Sequence, residues 1–316
     1  MKKVILGIAM SLISAACLSA YELVKPTFTL KLYPEGQSVD MGIVEDGKTL
    51  TLGPGESNGL EGGNVVNPRN GNISNIGDDA FMDIYLPENC NGQMLVVCPG
   101  GGYANVSAAN EGTRVADWCV KRGIAVCVVL YRMPNGHCTV PLTDVQNAFR
   151  YCRAKAPEWG IDQIGVMGFS AGGHLAASAS TLFDDEVTRP DFAVLVYPVI
   201  TFEEFVTHAG TRLNLVGPKA GKDQVEWYSL ENRVTPQTPP TILLLSGDDK
   251  AVPPENSIRY FRAMQENGVP GELHIFTSGG HGWGFTTMEN SGRDNLGNQR
   301  ENFFQILGRW LDSQRQ

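Results

Sequence analysis

From Met94 onward the chain repeats one pattern, a short unbroken apolar run followed by a longer stretch with helical spacing. The strand candidates are Met94 to Cys98, Ala125 to Tyr131, Ile164 to Gly168, Phe192 to Tyr197, Thr241 to Ser246 and Glu272 to Thr277, in the last of which His274 alternates with apolar residues. Helical spacing occupies Glu111 to Arg122, Leu142 to Ala156, Ala171 to Leu182, Pro254 to Asn267 and Gln299 to Ser313. A strand that is apolar at successive positions must be buried on both faces, which a parallel sheet between helical layers provides. Right-handed crossovers then leave the carboxyl ends of the strands open. The pattern therefore predicts an α/β fold with a mostly parallel, doubly wound sheet and a site at that open edge. Thr27 to Leu32 and Phe81 to Leu86 instead alternate in the two-residue period of half-buried strands, and are expected to be antiparallel leading strands. Between them, Gly47 to Asn75 is rich in Gly, Asn and Pro and reads as an irregular surface connection. Residues 201–240 interrupt the rhythm without a clear strand and are expected to form a small cap insertion over the open edge.

At 316 residues, with 42% hydrophobic and 19% charged residues, the chain can bury one large two-faced core. A single domain is expected over residues 21–316. Ahead of it, Lys2 and Lys3 precede an apolar run from Val4 to Ala16 and then small residues up to Ala20. This is the layout of a signal peptide, and the run is shorter than the roughly 20 apolar residues that span a bilayer. The expectation is export to the periplasm or medium, with residues 1–20 removed; a lipid anchor on Cys17 is the minority alternative. A net charge of -9 without a basic stripe excludes a polyanionic partner such as nucleic acid. Cys90, Cys98, Cys119, Cys127, Cys138 and Cys152 permit disulfides without requiring them, and Cys98 and Cys127 read as small buried hydrophobes. No Cys/His spacing suggests zinc, and no metal or organic cofactor is implied.

Gly168-Phe169-Ser170-Ala171-Gly172 falls between an apolar run and a helical stretch. At such a strand-to-helix turn the serine is exposed above the sheet in a strained conformation that only small neighbours allow. A serine hydroxyl needs a histidine in contact and a carboxylate to orient that histidine. Of the five histidines, His281 lies in the glycine-rich loop after the last strand and is the expected base. His174, in the helix behind Ser170, reads as a packing or hydrogen-bonding residue, His274 as a sheet residue, and His137 and His208 as loop residues. The acid is expected after the preceding strand, in Ser246-Gly247-Asp248-Asp249, with Asp248 chosen and Asp249 assigned to capping the loop or the next helix. Pro99-Gly100-Gly101-Gly102-Tyr103 follows the first buried strand and can bring amides to an oxyanion, with Gly101, Gly102 and Ala171 as the expected donors. Asp144 reads as a cap or ion-pair partner.

With these parts in place the chain resembles, from about Phe81 to its C-terminus, the bacterial feruloyl-esterase and acetyl-xylan-esterase-like carbohydrate esterases of hormone-sensitive-lipase type, within the α/β-hydrolases. The strings that carry the resemblance are Trp159-Gly160-Ile161-Asp162, Gly168-Phe169-Ser170-Ala171-Gly172-Gly173-His174 and Asp248-Asp249-Lys250-Ala251-Val252-Pro253. It implies an α/β-hydrolase fold and a triad of Ser170, Asp248 and His281. The implied activity removes acetyl or feruloyl groups from xylan or related polysaccharides. Pro99 departs from the His that lipase-like relatives place before the three glycines. Two other expectations stand beside it: a peptidase of oligopeptidase type acting on short peptides, and a carbohydrate-binding protein with a vestigial triad.

Overall fold

A computed structural model describes residues 22–33, 39–45, 48–52, 65–67, 71–74, 76 and 80–315. The expected signal peptide, with Cys17, lies outside them. Eight strands form the main sheet: β1 (Phe28–Lys31), β2 (Phe81–Tyr85), β3 (Gln93–Cys98), β4 (Ala125–Leu130), β5 (Gln163–Phe169), β6 (Ala193–Val196), β7 (Thr241–Ser246) and β8 (Gly271–Phe276). Their order is β1-β2-β4-β3-β5-β6-β7-β8. The pairs β1–β2 and β2–β4 are antiparallel and the others parallel. This is the α/β-hydrolase fold. Among the runs, β3, β4 and β7 are buried at every position for the reason that made them legible, whereas Glu272 to Thr277 forms the half-exposed edge strand β8.

The helices are α1 (Arg114–Val120), α2 (Val140–Trp159), α3 (Ser170–Thr181), α4 (Ala209–Val216), α5 (Lys222–Trp227), α6 (Glu255–Glu266), α7 (Met288–Ser291) and α8 (Arg300–Gln314). Strand alternation decides which face each covers. A side chain on Gly168 would run into Ala176 of α3. Gly165, on the opposite face of β5, is capped by the Phe192 ring, which packs edge-on against Trp310 of α8. The elements α3 and α8 therefore lie on opposite faces of the sheet. Glycine is required at both positions because no β-carbon fits.

The segment expected to be irregular contains strands Lys48–Leu52, Val65–Asn67 and Asn72–Ser74. The last pairs with Asn105–Ser107, just beyond the glycine loop. Lys48–Leu52 pairs with Val39–Glu45 and Val65–Asn67 with Asn72–Ser74, and a three-residue strand is too short to carry a period that could be read. The six cysteines from Cys90 onward are free, with Cys98, Cys119, Cys127 and Cys152 buried. Among the described residues no helix is long and apolar enough to cross a membrane.

Register explains where a site can form. Gly168 of β5 pairs with Cys98 of β3 on one side and Leu195 of β6 on the other, while Ser246 of β7 pairs with Phe276 of β8. All five strands end at one edge, so the loops that begin at Pro99, Ser170, Tyr197, Gly247 and Thr277 emerge side by side.

Candidate active site

Ser170 is the first residue of α3 and has φ of 52°, a left-handed conformation that a residue with a side chain rarely adopts. The turn closes because its flanks lack β-carbons. One on Gly172 would lie 2.1 Å from Cys98 O and 2.4 Å from Pro99 O, and one on Gly168 would lie 2.1 Å from Gly172 O. The strained serine is thus held between the end of β3 and the start of α3.

His281 Nε2 lies 2.8 Å from Ser170 Oγ, and His281 Nδ1 lies 2.7 Å from Asp249 Oδ2. A carboxylate can only accept, so Nδ1 carries the proton and Nε2 is free to accept from the serine hydroxyl. The structure thus brings together the serine and histidine expected from the sequence.

The carboxylate in contact with His281 differs from the one expected. Asp248 is exposed and its Oδ1 accepts from Gly280 N at 2.8 Å, bracing the histidine loop without touching the imidazole. Asp249 instead turns inward, its carboxylate side chain fully buried. Its Oδ1 accepts from Ala251 N and Val252 N, both at 2.9 Å, which leaves Oδ2 for His281. After β7 the chain makes a tight turn at Gly247-Asp248, and one further residue is needed before a side chain points back over the sheet. The capping role given to Asp249 and the contact with His281 belong to the same carboxylate, one oxygen each. An Asp that can accept from the amides two and three residues further on was the available signal.

The glycine loop abuts the elbow. A β-carbon on Gly100 would fall 3.0 Å from Ser170 Cβ, and Gly101 and Gly102 have φ of 136° and 66°. Gly100 N is taken by Glu111 Oε2 at 2.7 Å. The amides of Gly101 and Gly102 donate to no group among the described residues, and Ala171 N lies in the first turn of α3, where amides have no intrahelical acceptor. Residues 201–240, expected as a cap, carry α4, α5 and a short turn, Leu230–Arg233. They reach this loop through Asn214 Nδ2, which donates to Gly102 O at 2.8 Å.

Two neighbours, Tyr197 and Glu111, were given no place near the site from the sequence, and a third, His208, was expected only as a loop residue. Tyr197 packs its ring 4.9 Å from that of His281. Glu111 is buried beside Gly100. His208 caps α4 by accepting from Thr211 N, and its Cε1 lies 3.7 Å from where a β-carbon on Gly102 would stand. Burial first, and then the charge of His281, lowers the pKa of His208. None of the three sits in a motif, and only the fold carries them to the serine. Asp144, left out of the site, is fully buried in an ion pair with Arg132.

His174 has the structural role expected of it. Its Nε2 donates to Tyr228 O at 2.9 Å, its Nδ1 accepts from Tyr103 Oη at 3.1 Å, and its ring stacks on Phe202. Burial holds its pKa down at about 4. A histidine neutral in the folded state but titrating normally when unfolded contributes nothing above pH 6.5. Below that, the unfolded chain binds a proton the folded one refuses, so stability falls as pH drops toward 4, by about 3 kcal/mol over the window. Urea unfolding of the protein between pH 7.5 and 4.5 should show this slope, and His174→Gln should flatten it. Equal slopes in the two proteins would refute the assignment.

Comparisons with known proteins identify relatives of the chain. Residues 82–264 match the family model described as BD-FAE. Over 247 residues the chain is 41% identical to the acetylxylan esterase of Xylanibacter ruminicola, covering 76% of this chain and 50% of that protein. Over 204 residues it is 33% identical to endo-1,4-beta-xylanase B of Butyrivibrio fibrisolvens, covering 60% of this chain and 32% of that protein. The chain thus spans half or less of the length of these two curated relatives. The crystal structure of an acetyl ester-xyloside bifunctional hydrolase from Caldicellulosiruptor lactoaceticus superposes with a TM-score of 0.69 at 30% identity, covering 93% of this chain and 98% of that one. With more than half of its residues matched by the family model, and the sheet order and strand-to-helix serine turn described above, the chain belongs to the BD-FAE family of α/β-hydrolases.

Proposed function

We propose that this chain is a serine carboxylic-ester hydrolase that removes acetyl groups from xylan or its oligosaccharides. The observation that carries the reading is the unbroken hydrogen-bonded line from Ser170 Oγ through His281 to Asp249 Oδ2. In the proposed reaction Ser170 Oγ attacks the ester carbonyl carbon while His281 Nε2 takes its proton. The oxygen that becomes negative is met by amides of Gly101 or Gly102 and of Ala171, fixed in place before the reaction. Collapse expels the sugar alkoxide, which takes the proton from His281 Nε2. Water then attacks the acyl-enzyme by the same route and releases the acid.

The substrate class is supported by relatives named for acetylxylan and xylan hydrolysis and by a structural neighbour named for acetyl esters and xylosides. Export, suggested by the pattern of residues 1–20, would place the enzyme where polysaccharide is found. The test is product release from a panel of acetylated xylan, feruloylated arabinoxylan and peptide amides. Acetate release from the first at a rate well above the other two is expected. Release of ferulate alone would move the acyl group, and cleavage of peptides alone would overturn the reading.

A further inference from the structure

A buried carboxylate that the proposed steps leave unused lies between the two loops that form the site. Glu111 sits in the turn Ala109–Thr113 and is 4% exposed. Its Oε2 accepts from Gly100 N at 2.7 Å, and its Oε1 accepts from Tyr197 Oη at 2.7 Å. The same Tyr197 oxygen accepts from Gly284 N at 2.8 Å. One line of hydrogen bonds therefore runs from the glycine loop after β3, through Glu111 and Tyr197, to the loop that carries His281.

The direction of each bond is set by chemistry. The amides of Gly100 and Gly284 can only donate, so the tyrosine proton must point at Oε1, and Glu111 is left with acceptor roles alone. Every hydrogen in the line has a partner when the carboxylate is ionised. Burial pushes the Glu111 carboxyl up, and the tyrosine hydroxyl, the Gly100 amide and positive charge on His281 oppose that rise. Only Gly100 separates this carboxylate from the nucleophile. A β-carbon on Gly100 would fall 2.8 Å from Glu111 Oε2 and 3.0 Å from Ser170 Cβ, so carboxylate and serine flank the same glycine.

We propose that Glu111 is a positioning residue for the esterase reaction: through Gly100 and Tyr197 it keeps the oxyanion loop and the His281 loop in one register on Ser170, and its charge faces the imidazolium that forms at His281. With Gly100 N committed to Glu111, the amides that follow it are left for the substrate oxygen. The inference rests on the esterase reading above. The other groups facing His281 are Asp249 from the β7 loop, Tyr197 from the end of β6 and His208 from the 201–240 segment. Those facing the Glu111–Tyr197 pair are Tyr131, after β4, and Arg300 of α8, itself paired with Asp294.

Two variants separate the components. Glu111→Gln removes the charge and, because Gly100 N can only donate and must keep the amide oxygen, sets an NH2 group against the Tyr197 hydroxyl, whereas Tyr197→Phe preserves the charge but cuts the line to Gly284. With p-nitrophenyl acetate as substrate, each is expected to lower kcat about tenfold to a hundredfold while KM changes little. Glu111→Gln is also expected to move the acid limb of the kcat/KM pH profile to lower pH, because the imidazolium loses an anion. Wild-type kcat and an unmoved acid limb in folded Glu111→Gln and Tyr197→Phe would overturn the proposal, as would a loss confined to melting temperature. If Glu111→Gln does not fold, Tyr197→Phe decides by its kcat. Ser170→Ala, run alongside, keeps the two levels apart. Activity surviving in that variant defeats the esterase reading itself, whereas an inert Ser170→Ala beside fully active Glu111 and Tyr197 variants defeats only this inference.

Discussion

Asparagine at position 249 is expected to lower kcat toward p-nitrophenyl acetate by about 10⁴-fold, whereas asparagine at 248 should leave it within a few-fold. The asymmetry follows from hydrogen-bond polarity. Asp249 Oδ1 is held by the amides of Ala251 and Val252, which can only donate, so the carbonyl oxygen of an introduced asparagine must take that place. Its NH2 group then faces His281 Nδ1, now 2.7 Å from Asp249 Oδ2, and forces that nitrogen to accept. The ring proton moves to Nε2, where it points at Ser170 Oγ, and the histidine can no longer take the serine proton. At position 248 the interaction affected is the brace from Gly280 N to an exposed carboxylate. It is neutralised by substitution but not removed, because an asparagine oxygen still accepts from Gly280. Steady-state kinetics on the two variants decide the matter, and equal losses at both positions, or the larger loss at 248, would reverse the acid assignment.

Ser170→Ala is expected to remove turnover to the limit of detection, a loss on the order of 10⁵- to 10⁶-fold, because no neighbouring group can replace the nucleophile. Stability provides an independent readout at the same position. Ser170 has φ of 52°, and a left-handed conformation costs a residue with a side chain about 1 kcal/mol or more. Alanine retains its β-carbon and should melt close to the parent, whereas Ser170→Gly releases the strain and should melt higher by a few degrees while remaining inert. A glycine variant that melts lower than the alanine variant would show that the elbow is not strained. Measurable ester turnover in either would remove Ser170 from the reaction.

The parts legible in the sequence are those with a local cause. Unbroken apolar runs such as Ala125 to Tyr131 can be satisfied only by burial on both faces, so strand positions, the parallel sheet and the helices between them followed from the chain alone. The same holds for the elbow, because Gly168 and Gly172 admit no β-carbon and the pattern names its own geometry. The meeting of His281 with Ser170 could be anticipated because the histidine lies in the loop directly after the last strand.

The parts that were not legible depend on where chains far apart in sequence meet. The strands Val65–Asn67 and Asn72–Ser74 exist through pairing with one another and with Asn105–Ser107, and their residues carry no period. The choice between Asp248 and Asp249 turns on which side chain points back across the sheet, a matter of backbone direction after β7 to which composition is blind. Glu111 and Tyr197 are separated by 86 positions and meet only because β3, β5 and β6 end at one edge. The chain by itself therefore determined the fold, the serine turn and the histidine, each through burial or sterics acting over a few residues. Tertiary structure alone decided which carboxylate orients the histidine and which buried groups brace the site, because a hydrogen bond between distant residues is specified by direction and distance rather than by residue type.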